Sequence, residues 1–222
     1  MNNCYLDAEA VITFFRMTGR KHIFITGSRG SGKSHLVNNM LKHMSDSFNL
    51  LQSHRTDTPQ VVIKSNLVAD NKEFVIGVPR TSGINPASKG NNMTIIEDGF
   101  INCAIPAIDT HLDTTPERLF VIDELGYLES SCIPFQKAVE KLLDNSHVLA
   151  VIRKQSTEFL NRICNRRDVL VIDIDSTFET LSCIIMASGM SKRFGSNKLI
   201  TDFNGRSLFE NAVSCLLYTS PS

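Results

Sequence analysis

The stretch Gly27-Ser28-Arg29-Gly30-Ser31-Gly32-Lys33-Ser34 satisfies G-x-x-x-x-G-K-[ST], a phosphate-cradling loop (Walker A). It constrains the fold because it works only between a strand that delivers it and a helix that receives it. Both flanks are present. His22-Ile23-Phe24-Ile25-Thr26 is a short apolar run ending at Gly27. Behind the loop, Leu36, Val37, Met40, Leu41 and Met44 recur at helical spacing, with Asn38, Asn39 and Lys42 on the other face. The glycines let the backbone wrap tightly and turn successive N–H groups inward onto phosphate oxygens. The following helix start, reaching His35, adds its positive dipole end. Lys33 is expected to meet the β- and γ-phosphates, and the Ser34 hydroxyl to ligate Mg²⁺. The expected ligand is a Mg²⁺-bound nucleoside triphosphate, ATP or another NTP.

A chain of 222 residues can hold one α/β domain with a sizeable core, or one domain plus a small addition. Its 23 basic and 23 acidic residues cancel, which argues against nucleic-acid or membrane-surface partners held by bulk charge. No apolar run approaches 18 residues, and the N-terminus lacks the basic start and apolar core of a signal peptide. Six scattered cysteines without a C-x-x-C pair read as free thiols in a reducing cytoplasm.

In chain order, residues 6–17 form a packing helix stopped by Gly19, and residues 46–59 are polar and expected to be loop. Residues 60–68 and 73–78 suit a half-buried hairpin, because Phe74, Ile76 and Val78 alternate with Glu73 and Gly77. Residues 80–92, rich in Gly, Ser, Pro and Asn, are the longest loop, read equally as a lid or a connector. Residues 93–96 and 101–105 are expected to pair as antiparallel strands. Leu119-Phe120-Val121-Ile122 then runs into Asp123-Glu124, the pattern of a Walker B strand covered on both faces. Asp123 would complete the Mg²⁺ shell opposite Ser34, and Glu124 would orient or polarise the attacking water. Beyond it the chain alternates helix and strand. Pro134 opens a helix, residues 147–152 are a strand, Ser156 caps a helix carrying Phe159, Leu160, Ile163 and Cys164, and residues 169–174 are the last strand. Arg153, Arg166 and Arg167 are candidates to neutralise the γ-phosphate as an arginine finger in cis; a helix-ending or surface role competes for each.

The Walker A loop, the run from Gly99 to Ile108, Val121-Ile122-Asp123-Glu124-Leu125-Gly126-Tyr127-Leu128-Glu129 and Val148-Leu149-Ala150-Val151-Ile152-Arg153 together resemble the thermophile-type, or cancer-related, nucleoside-triphosphatase family. The resemblance covers about residues 20–178, and Asp-Glu-Leu-Gly-x-Leu-Glu is its more specific part. It implies a RecA-like P-loop fold, with a mostly parallel sheet flanked by helices, and slow Mg²⁺-dependent hydrolysis of several NTPs. The segment before His22 is longer than usual, and Tyr127 departs from the residue that commonly follows the glycine.

After a polar break at residues 173–180, Leu181-Ser182-Cys183-Ile184-Ile185-Met186 runs into Ala187-Ser188-Gly189-Met190-Ser191-Lys192-Arg193-Phe194-Gly195-Ser196-Asn197-Lys198-Leu199. This resembles the opening of a MobA-like nucleotidyltransferase, a Rossmann-like domain of which only the first β-loop-α unit, about residues 181–214, is present. The resemblance implies that Gly189, Arg193 and Lys198 approach an NTP and that molybdenum-enzyme maturation is a nearby role. Residues 215–222 match a widely used sequencing adapter translated in frame and are expected to be non-native. The expected activity is hydrolysis of ATP, GTP, CTP and UTP to NDP and phosphate by a domain spanning residues 1–178. A small-molecule kinase and a nucleotide-gated adaptor for cofactor maturation are the alternatives.

Overall fold

A computed structural model describes residues 7–44, 47–80, 93–175, 202–203 and 205–210. The chain divides into two compact units, of which Tyr5–Phe178 is one. In that unit a single sheet of eight strands has the order β5-β4-β3-β2-β6-β7-β1-β8. The strands are β1 (His22–Gly27), β2 (Phe48–Arg55), β3 (Val61–Ser65), β4 (Phe74–Pro79), β5 (Met93–Ile95), β6 (Leu119–Leu125), β7 (His147–Arg153) and β8 (Val169–Asp173). From β2 through β6, β7 and β1 to β8 every pairing is parallel; β3, β4 and β5 extend the sheet in antiparallel fashion.

The parallel strands are apolar at nearly every position because both faces are covered. Alternate side chains separate into two cores. Ile23, Ile25, Val121, Leu149 and Val151 face α1 (Ala8–Thr18) and α2 (Lys33–Met44), meeting Val11, Ile12, Leu36 and Met40. Phe24, Phe120, Ile122, Val148 and Ala150 face the other side, against Phe100 and Ile108, against Phe135 and Leu142 of α5 (Ile133–Asn145), and against Phe159 and Leu160 of α6 (Glu158–Cys164). Asp7 caps α1 by accepting from the Ala10 amide at 3.1 Å, and Gly19 stops it, as expected. The hairpin of β3 and β4 and the proline-started α5 also match expectation.

Three expectations are corrected. Residues 46–59 are not a loop, since Phe48–Arg55 is β2, a strand inside the sheet paired with β6. Its polarity hid it. Asn49, buried, donates its amide to His111 Nδ1 and to Thr115 Oγ1, both at 2.8 Å, and so tolerates a core position. Residues 101–105 are not a strand. One turn, α3 (Glu97–Gly99), leads through a π-wound segment, Phe100–Ala104, into α4 (Ile105–Thr114). The buried residues Phe100, Cys103, Ala104, Ala107, Ile108 and His111 recur at helical spacing, which the short apolar run disguised. The cap of α6 is Thr157, accepting from the Leu160 amide at 3.1 Å; Ser156 instead accepts from the Asn161 side chain.

In the second unit, β9 (Asp202–Phe203) and β10 (Arg206–Ser207) form a small hairpin. Ser207 and Glu210 then cap each other reciprocally: the Ser207 amide donates to Glu210 Oε2 at 2.8 Å, and the Glu210 amide to Ser207 Oγ at 3.1 Å. Gly189, Arg193, Lys198 and the strand expected at 181–186 lie outside the described residues, as do residues 81–92.

Two buried histidines set a pH dependence. His22 Nδ1 accepts the Val148 amide at 3.2 Å, while Nε2 has no hydrogen-bond partner and lies 3.4 Å from Asp168. Burial outweighs the attraction of Asp168 and lowers the His22 pKa to about 4; burial also lowers that of His111. Between about pH 6.5 and 4 the unfolded chain binds a proton at His22 that the fold refuses, so stability falls as pH falls. The expected loss from His22 between pH 7.5 and 4.5 is about 2–3 kcal/mol, read by urea unfolding. His22→Gln should flatten that slope; an unchanged slope would remove His22 as its source.

Candidate functional site

Because β1, β7, β6 and β2 are parallel neighbours, their C-terminal ends share one rim of the sheet. The register sets Gly27 beside Arg153, Asp123 beside Val151, and Gln52 beside Asp123. Order along the rim is therefore the Gly27–Ser34 loop, Arg153, Asp123-Glu124, then residues 52–55. A cavity of about 950 Å³ runs along this rim and is lined by nearly every Walker A residue, His35, Asp123, Glu124 and Arg153.

The loop closes on itself. The Ser31 amide donates to the Ser28 carbonyl at 3.2 Å, and Lys33 Nζ donates to the carbonyls of Gly27 at 2.9 Å and Ser28 at 2.8 Å. Gly32 sits at φ 93°, where an L side chain is strained, and the chain turns there into α2. The first helical bond, from the Leu36 amide to the Gly32 carbonyl at 2.9 Å, leaves the amides of the preceding turn aimed along the helix axis. Ser31 Oγ is buried without a hydrogen-bond partner. Arg29, Ser34 and His35 lie at the mouth, Ser34 and His35 exposed.

Glu124 and Arg153 form a two-pronged ion pair, Nε to Oε1 at 3.0 Å and Nη2 to Oε2 at 3.2 Å. That bond raises the Arg153 pKa, and burial opposes it only in part. Asp123 accepts from Gln52 Nε2 at 3.3 Å. Burial raises its pKa and the Gln52 bond lowers it; the charge of Glu124 raises it and that of Lys33 lowers it. Of the three candidate arginines, only Arg153 reaches the rim. Arg166 and Arg167 precede β8, at the opposite end of the strands, about five residues or 17 Å away. Arg166 is engaged there by Asp168 at 2.8 Å and Asp144 at 2.9 Å. Neither can serve as a finger in this chain.

Three groups at the rim carried no assigned role from sequence. Asp175 Oδ2 accepts from the Ser28 amide at 2.7 Å and its hydroxyl at 2.6 Å, and Lys154 binds the same oxygen at 3.0 Å. The Ser28 hydroxyl, with Lys154 second, lowers the Asp175 pKa to about 2. Glu129 is buried and accepts from the Gly126 amide at 2.9 Å and from Ser53 Oγ at 3.3 Å, with burial raising its pKa. Gln52 holds Asp123 from the strand that had read as loop. Glu129 had a signal, its place in Asp-Glu-Leu-Gly-x-Leu-Glu; Asp175, across 147 residues of chain from Ser28, had none.

Comparison with known proteins agrees with this architecture. A family model described as NTPase matches residues 22–179. The nucleoside-triphosphatase THEP1 of Thermotoga sp. (strain RQ2) is 26% identical over 155 residues, covering 69% of this chain and 86% of that protein. THEP1 of Thermotoga maritima is 23% identical over 154 residues, with the same coverage of 69% and 86%. Among solved structures, THEP1 from the hyperthermophile Aquifex aeolicus superposes with a TM-score of 0.55 at 17% identity, over 70% of this chain and 92% of that one. A human cancer-related nucleoside triphosphatase gives 0.52 at 18% identity, over 90% and 100%. These structural likenesses concern the fold.

The bond from Asp175 to the loop is testable by amide exchange. Asp175→Ala should speed exchange at Ser28 at least about tenfold while leaving Leu36, held by Gly32, unchanged. Equal acceleration at both amides, or at neither, would show that Asp175 does not hold the loop.

Proposed function

The chain belongs to the NTPase family, and on that premise we propose Mg²⁺-dependent hydrolysis of nucleoside triphosphates (ATP, GTP, CTP and UTP) to NDP and phosphate. The observation that carries the reading is the shared rim: a Walker A loop, an arginine and an Asp-Glu pair converge on one cavity from adjacent parallel strands. In this reading the amides around Gly30, Gly32 and Lys33 cradle the phosphates. Lys33 exchanges its hold on the Gly27 and Ser28 carbonyls for β- and γ-phosphate oxygens. Ser34 and Asp123 supply hard oxygen donors to the same cavity, the donor type and number suited to Mg²⁺ bound largely through phosphates and water. Bound Mg²⁺ supplies neutralisation of charge on the β- and γ-phosphate oxygens.

Glu124 and Arg153 give the chemistry its gate. While the guanidinium holds both Glu124 oxygens, it neutralises the carboxylate and weakens it as an acceptor of a water proton. A γ-phosphate brings more negative charge than a single carboxylate, so Arg153 moves onto it and Glu124 is released toward the water. One motion thus stabilises the phosphoryl charge and frees the group that accepts the water proton.

The names of the Thermotoga relatives support the NTP substrate. Among the described residues no helix is long and apolar enough to cross a membrane, and Cys103, Cys132 and Cys164 are free thiols. Residues 181–214 are assigned, on the motif containing Gly189, Arg193 and Lys198, to the start of a MobA-like domain, with a role near molybdenum-enzyme maturation. That assignment rests on sequence.

Binding and chemistry separate by substitution. Lys33→Ala should lose most of the thermal stabilisation that Mg–ATP gives the native chain, about 2.7 kcal/mol at a hundredfold excess over Kd. Glu124→Gln should keep that stabilisation but hydrolyse ATP at least about tenfold more slowly, a barrier rise of about 1.4 kcal/mol. Phosphate release at the native rate from Glu124→Gln would remove Glu124 from the chemistry. Arg153→Ala should also slow turnover despite freeing Glu124; faster turnover would recast Arg153 as a brake only.

A further inference from the structure

The cavity is longer than a triphosphate group requires. A triphosphate held by the loop and met by Asp123-Glu124 occupies the span from β1 to β6, two strand intervals or about 10 Å. The cavity continues past that point. Its far half is lined by Ser53 and Arg55 of β2, Val61 of β3, Met93 of β5, and Tyr127 and Leu128 after β6. Val61 and Met93 stand at the same rim because β3 and β5 start where β2 and β4 end. They are four and six strand intervals from β1, about 19 and 29 Å.

The character of this half differs from that of the phosphate half. Val61, Met93, Tyr127 and Leu128 make an apolar wall. Beside it, paired across the sheet with Val61, the exposed Arg55 makes no hydrogen bond or ion pair with any described residue, whereas its neighbour His54 is held by Glu73 at 3.2 Å. The Ser53 hydroxyl has only long contacts, 3.3 Å to Glu129 and 3.4 Å to the Glu124 carbonyl. A water molecule needs neither an apolar wall nor a second cation. A small organic molecule with an anionic end needs both.

Resting on the hydrolase reading above, we infer that this half is an acceptor subsite for a small hydroxyl compound bearing a carboxylate or phosphate, to which the γ-phosphoryl group passes in place of water. The anionic end pairs with Arg55, the carbon body lies along Val61 beside it and Leu128, and the hydroxyl points to Glu124. The acceptor oxygen forms its bond to the γ-phosphorus as the bond to the β–γ bridging oxygen breaks. The bonding pair leaves with the NDP, and the hydroxyl proton passes to the Glu124 carboxylate and on to solvent. Products are NDP and a phosphate monoester. Hydrolysis is then the slow reaction of the same site when water takes the acceptor's place.

The test follows three products of γ-labelled Mg–ATP with the full chain, namely ADP, inorganic phosphate and labelled ester, in the presence of glycerate, mandelate or glycerol 3-phosphate. With at least one probe, ADP should exceed inorganic phosphate at least twofold, the difference appearing as labelled ester. Arg55→Ala should cut ester formation at least tenfold at subsaturating probe and return ADP to phosphate toward one to one; Arg55→Lys should retain part of the transfer. Equal ADP and phosphate with every probe would overturn the acceptor subsite and leave hydrolysis standing. Undiminished transfer in Arg55→Ala would overturn the anion-pairing role. No ADP at all would overturn both readings.

Discussion

The parallel hydrogen bonding of β7 between β1 and β6 is the constraint on which the rest depends. Without it the phosphate loop and the Asp-Glu pair would be adjacent, and no side chain would stand between them. With it, register alone carries Arg153 to the level of Gly27 on one side and places Val151 against Asp123 on the other. The central position also exposes both faces of these strands to helices. That is why Phe120, Ile122, Val148 and Ala150 belong to one core while Val121, Leu149 and Val151 belong to the other.

The Arg153–Glu124 pair shows how such a rim stores a choice. The pair is two-pronged but half exposed on the arginine side, so its strength is moderated by solvent. A pair so exposed can be exchanged for another anion. Asp175 does the corresponding work behind the loop, holding Ser28 through a carboxylate that stays ionised to low pH. One carboxylate thus restrains the loop and another occupies the arginine, each on a different strand end.

Much of this was legible in the chain. Local chemistry announced the loop, α2, β6, β7 and Asp123, Glu124 and Arg153, because phosphate binding and double-sided burial both leave patterns at fixed spacing. Part of what escaped has its stabilisation in residues far away in sequence. Asn49 fits a core strand only because His111 and Thr115, more than sixty residues on, complete its hydrogen bonds. The helix through Phe100 and His111 was obscured by Ile101 and Ile105, which drew attention to a short apolar run while the buried series ran beneath it. Arg166 and Arg167 read as candidates because sequence does not say at which end of a strand a residue falls until the strand's direction is known. Asp175 and Gln52 act only through contacts across the folded sheet.

The antiparallel ribbon β3-β4-β5 joins the parallel sheet through β2 alone. It nonetheless supplies Val61 and Met93 to the cavity wall. Exchanges of side chains in that ribbon reshape one end of the cavity without disturbing the loop, the acids or the arginine at the other. Substitutions at sites so far apart, with no shared partners, change stability nearly additively. The two ends of the cavity are accordingly separable, one shaped by the ribbon and the other by the parallel strands.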